Sequence, residues 1–246
     1  MAATGRRVIF YDQLGCGLSS LPEPHPEMWT VELYIEEVEN VRRALGLDRI
    51  HLLGQSWGGM LAMSYVLTRP VGIASLTVAS SPVSMRQWVA EANKLREELP
   101  PDVQLTLLKH EADGTYEDPE YLAAVNVFYH RHVCRVDPYP EFVQRSFDKL
   151  GANPEVYLTM NGPSEFHVIG TLKDWDIRSR LGEIDAPTLV TSGRYDEATR
   201  VIAGTVHDGI AGSEWVVFEE SAHMAHAEEP VRYVEVLAEF LARNDQ

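Results

Sequence analysis

One short stretch of this 246-residue chain constrains its fold more than any other. Ile50-His51-Leu52-Leu53 is an apolar, strand-like run that stops at Gly54, and a helical pattern runs from about Trp57 to Leu67. The chain must therefore pass from strand to helix within Gly54-Gln55-Ser56-Trp57-Gly58. A reversal this short puts its apical residue, Ser56, in a strained backbone conformation. Small residues two before and two after it let the flanking backbones pass without clashes. A strand feeding directly into a helix is the opening of a parallel, helix-covered sheet.

The rest of the chain repeats that alternation. Val8-Ile9-Phe10-Tyr11 reads as a buried strand, and a Pro-rich loop follows at Pro22, Pro24 and Pro26. Thr30 is placed to cap a helix whose apolar face is Val31, Tyr34, Ile35, Val38, Val41 and Leu45, with Gly46 as its C-terminal glycine. Ala74 to Ala79 reads as a further strand. Thr188-Leu189-Val190 and Trp215 to Phe218 read as strands too, interleaved with helices from Arg200 to Ile210 and from Val231 to Leu241. Between roughly Ser84 and Asp176 the texture changes. That stretch is charged, helical in period, rich in Tyr and His, and includes amphipathic segments at Trp88 to Leu99 and Tyr121 to His132. The expected organisation is an α/β core of residues 1–83 with 177–246, and an inserted helical cap of residues 84–176.

The bulk numbers narrow the partners. A net charge of −16 would repel nucleic acid and anionic lipid, and it suits a cationic substrate. Two cysteines, Cys16 and Cys134, are no disulfide framework and fit a reducing compartment. No apolar run approaches the ~20 residues of a membrane span. Met1 to Arg7 carries two arginines, but no apolar segment of the signal-peptide kind follows. The expectation is a cytoplasmic protein with neither nucleic-acid nor membrane partners.

The reversal also carries chemistry. A serine at a helix N-terminus faces free N–H groups and the positive end of the helix dipole, which favour a developing oxyanion. The Trp57 N–H is the expected donor. A serine needs a base, and the base needs an orienting acid. In a nucleophile-elbow architecture these follow in the order serine, acid, histidine, at the ends of later strands. Asp196 lies just past the strand at Thr188, and His223 just past the strand at Trp215. His226 is the rival base, but it is already entering the last helix. His223 and His226 could instead begin a His-x-x-His metal site, yet no third ligand is positioned, so no metal is expected. His130 and His132, two apart on one helix, read as ordinary cap histidines, as do His25, His51, His110, His167 and His207 in their own settings.

Several segments together resemble the proline iminopeptidases, α/β-hydrolases in fold. They are Val8 to Ser19, Gly54 to Gly59, Asn161-Gly162-Pro163-Ser164-Glu165-Phe166, Gly193-Arg194-Tyr195-Asp196-Glu197 and Ser221-Ala222-His223. The likeness is greatest to the branch of the tricorn-interacting aminopeptidase. It implies Ser56 as nucleophile, Asp196 as acid and His223 as base. It also implies Glu165 and Glu197 as the two carboxylates that hold a substrate's free α-amine. Tyr157, Phe166 and Trp57 are expected to line a proline-sized pocket. The implied substrate is a peptide or amino-acid amide with a free N-terminus, and no cofactor is implied. An amino-acid amidase or small esterase of the same fold, and an inactive remnant or binding protein, are the alternative readings.

The chain departs from this family at one place. The His-Gly-Gly-Pro-Gly loop that supplies the second oxyanion donor is absent, as is any His-Gly pair. The strands expected upstream of Val8 are not found either. A chain shortened at its N-terminus is the expectation. Without the third family strand, the strands at Val8 and Ile50 should either flank a gap or pair directly.

Overall fold

The computed structural model describes residues 5–19 and 25–245. Met1 to Thr4 and the prolines Pro22 and Pro24 lie outside the described residues. The sheet is built from β1 (Ile50–Gln55), β2 (Ile73–Ala79), β3 (Thr188–Gly193) and β4 (Glu214–Phe218), all parallel and in the order β1-β2-β3-β4. Helices α1 (Val31–Ala44), α2 (Trp57–Val66), α8 (Arg200–Gly209), α9 (Ala225–Glu228) and α10 (Pro230–Arg243) accompany it. Thr30 caps α1 by accepting the Leu33 N–H at 3.1 Å. β2 and β3 are buried on both faces, as a helix-covered parallel sheet requires. The main core gathers Met63, Val66, Leu76, Val78, Val190, Val206 and Ile210 between α2, α8 and the sheet. No helix among the described residues is long and apolar enough to cross a membrane.

Between β2 and β3 lie α3 (Met85–Glu97), α4 (Pro101–Asp113), α5 (Pro119–His132), α6 (Glu141–Ala152) and α7 (Glu155–Met160). The chain leaves and re-enters the core at one point. Ser84 bridges Asp176, the Met85 N–H donates to Trp175 O, and the Ile177 N–H donates to Val83 O. The inserted helices have a core of their own around Leu107, Tyr121, Val125, Phe128 and Phe166. A second cluster, including Trp29, Met60, Met85, Trp88, Met160 and Ile202, joins insert to core.

The expected strand at Val8 to Tyr11 does not form. These residues carry no ladder and are exposed, Phe10 to 90 %. An apolar run becomes a strand only when a neighbour takes its N–H and C=O groups. Among the described residues β1 pairs with β2 alone, and no strand lies on its outer side. The direct pairing of Val8 to Tyr11 with the strand at Ile50 is therefore not what occurs. The sheet ends open at β1, where Leu53 is 42 % exposed.

The elbow itself forms as expected, with one change. Ser56 sits at φ 54°, ψ −122°, a conformation that L-residues rarely adopt. At Gly54 a β-carbon would overlap the Gly58 carbonyl, so this glycine is required. Gly58 is not the matching partner, because a β-carbon there meets open space. The close approach is at Gly59, where a β-carbon would overlap the Ser81 side chain. Gly59→Ala is thus expected to destabilise the fold by about 2–3 kcal/mol through overpacking. Gly58→Ala should be neutral, or stabilising by up to about 1 kcal/mol from helix propensity. Urea unfolding of the two variants checks the pair. Equal losses would show that the elbow, and not this one contact, sets the requirement.

Candidate active site

The C-terminal ends of β1, β3 and β4 converge. The Ser56 N–H donates to Ala79 O at the end of β2 (2.9 Å), the Ser80 N–H to Thr191 O (2.8 Å), and the Arg194 N–H to Phe218 O (2.9 Å). Three loops therefore leave the same edge of the sheet, where parallel α/β sheets place their ligands. Ser56 occupies the N-cap position of α2 without a side-chain cap bond and is partly exposed. The first helical N–H groups have no intrahelical partner. The bonds into Ser56 O come from Gly59 and Met60, which leaves the Trp57 N–H outside the helix ladder.

Asp196 is buried and held in place. Its Oδ1 accepts the Ala198 N–H at 2.8 Å, and its Oδ2 accepts the Gly193 N–H at 3.2 Å. Oδ1 also lies 2.7 Å from His223 Nδ1, which leaves the other ring nitrogen, Nε2, on the Glu197 side. Burial by itself pulls the His223 imidazole down. The Asp196 charge and hydrogen bond, with Glu165 beyond, outweigh burial and hold it above its ordinary value. The rival His226 is pulled the other way, by burial and then by His223, and its ring lies against Phe142 and Tyr233. No hydrogen bond from Ser56 Oγ occurs among the described residues. Such nucleophile–base contacts often tighten only on substrate binding.

Two carboxylates stand beside this histidine. Glu197 is 1 % exposed, its Oε1 lies 3.7 Å from His223 Nε2, and neither of its oxygens has a hydrogen-bond partner. Burial first, then Glu165 and Asp196, push its carboxyl well above the usual carboxylate range. Glu165 arrives from the insert. Its Oε1 accepts the Tyr157 hydroxyl at 2.8 Å, and its carbonyl accepts Trp88 Nε1–H at 2.6 Å. Burial raises this carboxyl as well, against the Tyr157 hydrogen bond and His223. The Tyr157 hydroxyl is itself raised far above its usual value, by burial and then by Glu165. The turn that presents Glu165 is held by Asn161 Nδ2–H to Ser164 O (2.9 Å) and by the Tyr121 hydroxyl to Ser164 Oγ (3.3 Å).

Phe166 is placed differently from the expectation. It is 1 % exposed, 4.8 Å from Phe128 and under the Arg96 guanidinium, inside the insert's own core. Its neighbour Glu165 instead meets the Tyr157 hydroxyl and the charge of His223. Trp57 turns its ring edge-on to Tyr34 and donates Nε1–H to Gln13 Oε1 at 3.0 Å, so it holds the Asp12–Ser19 loop over the elbow.

Known proteins resemble this chain in sequence and fold. The α/β-hydrolase fold model matches residues 1–230. The proline iminopeptidase of Saccharolobus solfataricus is 43 % identical over 96 % of this chain and 76 % of its own length. The crystal structure of the proline iminopeptidase of Mycobacterium smegmatis superposes with a TM-score of 0.88, at 45 % identity, over 96 % of this chain and 79 % of that one. The chain belongs to the proline iminopeptidase family of α/β-hydrolases. The crystal structure of VinJ, also 45 % identical, gives a TM-score of 0.96 over 99 % of this chain and 83 % of that one. The chain thus spans roughly four-fifths of the length of these relatives.

Against that family background, sequence reasoning missed the groups that hold the histidine loop. Glu228 accepts the Ala222 N–H (2.7 Å) and the Arg135 N–H (2.8 Å), so it ties the loop to the insert. Glu229 accepts the Glu220 N–H (3.1 Å) and the Ser221 hydroxyl (2.6 Å). Gln55 donates Nε2–H to His223 O at 3.3 Å, and Trp88 packs edge-on to the imidazole at 6.1 Å. Glu228 and Glu229 stand just before Pro230, where acidic residues read as ordinary helix-start signals. Nothing in the sequence separates that role from their binding to the histidine loop, or from the reach of Glu228 to Arg135.

Proposed function

We propose that the protein is a serine aminopeptidase that releases an N-terminal residue, preferably proline, through an acyl-enzyme on Ser56. The observation that carries this reading is the pair of inward-facing carboxylates, Glu165 and Glu197, beside His223, with both Glu197 oxygens unpartnered. Buried carboxylates are normally paired. A substrate ammonium would supply the missing charge and set the register of the first peptide bond. The names of the relatives agree with this chemistry.

In this mechanism His223 takes the Ser56 proton while Asp196 holds the imidazole. Ser56 Oγ attacks the carbonyl carbon of the first residue, and the Trp57 N–H donates to the oxyanion. His223 returns its proton to the departing amine as the C–N bond breaks. It then takes a proton from water, whose oxygen attacks the ester, and gives that proton back to Ser56 Oγ. A bound ammonium would also cancel part of the negative field on His223, which favours the neutral base. In this proposal residues 1–83 with 177–246 form the core and residues 84–176 the cap that delivers Tyr157 and Glu165. The tricorn-interacting branch is supported by the sequence motifs alone.

A substrate panel tests the reading. Prolyl-p-nitroanilide should be hydrolysed, and its N-acetyl derivative should react at least about 10²-fold more slowly, because an uncharged terminus leaves both carboxylates unpaired. Equal rates on the two, or turnover confined to acetyl esters, would replace the aminopeptidase reading with the esterase one.

A further inference from the structure

His110 does not behave as an ordinary packed histidine. It lies in the last turn of α4, 2 % exposed, and its Nε2 has no hydrogen-bond partner. Its Nδ1 lies 2.6 Å from Thr115 Oγ1, and its ring packs against Tyr121. With Nδ1–H donating to that hydroxyl, Nε2 carries a bare lone pair in a buried place, the arrangement in which metal-ligating imidazoles are held.

What this nitrogen faces is acidic. Gly114 ends α4 in the left-handed conformation, and Asp118 caps α5 with Pro119 at its first position. The tight return sets the start of α5 beside the end of α4. Asp118 Oδ1 accepts the Glu120 N–H at 2.8 Å, which leaves its other oxygen available, and Glu120 Oε2 lies 3.6 Å from His110 Nε2. One ligand atom each from His110, Asp118 and Glu120 all lie within 4.8 Å of one another. The lone cation near them is the exposed Lys109 ammonium, 3.7 Å from Glu120 Oε2 among the described contacts, and a divalent ion would displace it.

We propose that His110, Asp118 and Glu120 form a site for one divalent transition-metal ion of the zinc type, at the joint between α4 and α5. One imidazole and two carboxylates suit zinc and its neighbours better than calcium or magnesium, which take oxygen ligands. Zinc–ligand bonds of about 2.0–2.2 Å put neighbouring ligand atoms about 3.3 Å apart, so the cluster must contract by roughly 1 Å. The exposed Glu120 side chain can make that movement. The fourth position would be water. The ion would staple the hairpin whose far end, the His132 carbonyl, accepts the Glu197 N–H at 3.1 Å.

The test is calorimetric titration of the chelator-treated full chain with Zn²⁺, beside Glu120→Gln and Asp118→Asn. Asparagine still caps α5, and Glu120 is exposed, so both variants should fold. One equivalent should bind to the wild type, and each substitution should weaken binding at least about tenfold. At a hundredfold excess over Kd, Tm should rise by about 5 °C in the wild type and by less in the variants, with the metal-free Tm unchanged. Absence of Zn²⁺ binding to the wild type would overturn the proposal. Binding that both variants retain unchanged would also overturn it, because the ion would then sit elsewhere.

Discussion

Ser56→Ala is expected to lower kcat on prolyl-p-nitroanilide by about 10⁴-fold or more, since removing the nucleophile of a triad costs about as much as removing the whole triad. The fold should survive, because the Ser56 hydroxyl makes no cap bond to α2. Ser56→Gly separates catalysis from strain. Ser56 sits at φ 54°, ψ −122°, and such a conformation costs a side-chain-bearing residue about 1–3 kcal/mol. Glycine removes that cost but brings about 0.5–1 kcal/mol of chain entropy. The glycine variant should therefore be about 1 kcal/mol more stable than the alanine variant, and equally inactive. Kinetics and chemical denaturation of the two proteins read this directly. Residual turnover in Ser56→Ala within tenfold of the wild type would remove Ser56 from the mechanism. Equal stabilities would show that the elbow stores no strain.

The second large effect concerns Glu197. Replacing it by glutamine should make the protein more stable and a poorer aminopeptidase. Its carboxyl is pushed up by burial, then by Glu165 and Asp196, and its oxygens lack partners. A raised folded value means that its stabilising contribution is complete below the unfolded value, near 4.5, and is lost as pH rises through the folded value. Glu197→Gln should therefore match the wild type near pH 4 and exceed it by about 1–3 kcal/mol at neutral pH. For a substrate with a free N-terminus, kcat/KM should fall about 10²–10³-fold, the usual cost of removing one partner of a buried charge pair. The small activity on N-acetylated substrate should not fall with it. Thermal unfolding from pH 4 to 8 and paired kinetics test both halves. A variant less stable than the wild type at pH 7 would mean that Glu197 is satisfied by a partner and is not a poised binding group. A loss shared equally by free and acetylated substrates would make its role structural.

The stability gain and the activity loss have one origin. A site that awaits a cation must leave its anions desolvated and unpaired, and that destabilises the folded chain. The Tyr157 hydroxyl eases the cost at Glu165, whereas neither Glu197 oxygen has a hydrogen bond to ease it. In the proposed mechanism the net charge of −16 would add a long-range field that attracts a cationic terminus, and the two buried carboxylates would fix where it binds.

Much of this was determined locally by the sequence. Thr30, the apolar stripe of α1 and the stop at Gly54 depend on periods and turns of a few residues, and these can be read along one chain. The sequence also changes texture near Ser84 and Asp176, two residues that the structure joins by an isolated bridge. Other features depend on which elements meet. Val8 to Tyr11 has strand composition, but no neighbour takes its backbone groups. Gly59, and not Gly58, meets Ser81, because α2 lies against the end of β2. Phe166 and Glu165 are adjacent in sequence, yet one enters the insert's core and the other faces His223. Glu228 reaches both Ala222 and Arg135, and Nε2 of His110 lies 3.6 Å from Glu120 Oε2 of the next helix. Burial and the pairing of charge are set by residues distant in the chain, so only the tertiary structure decides them.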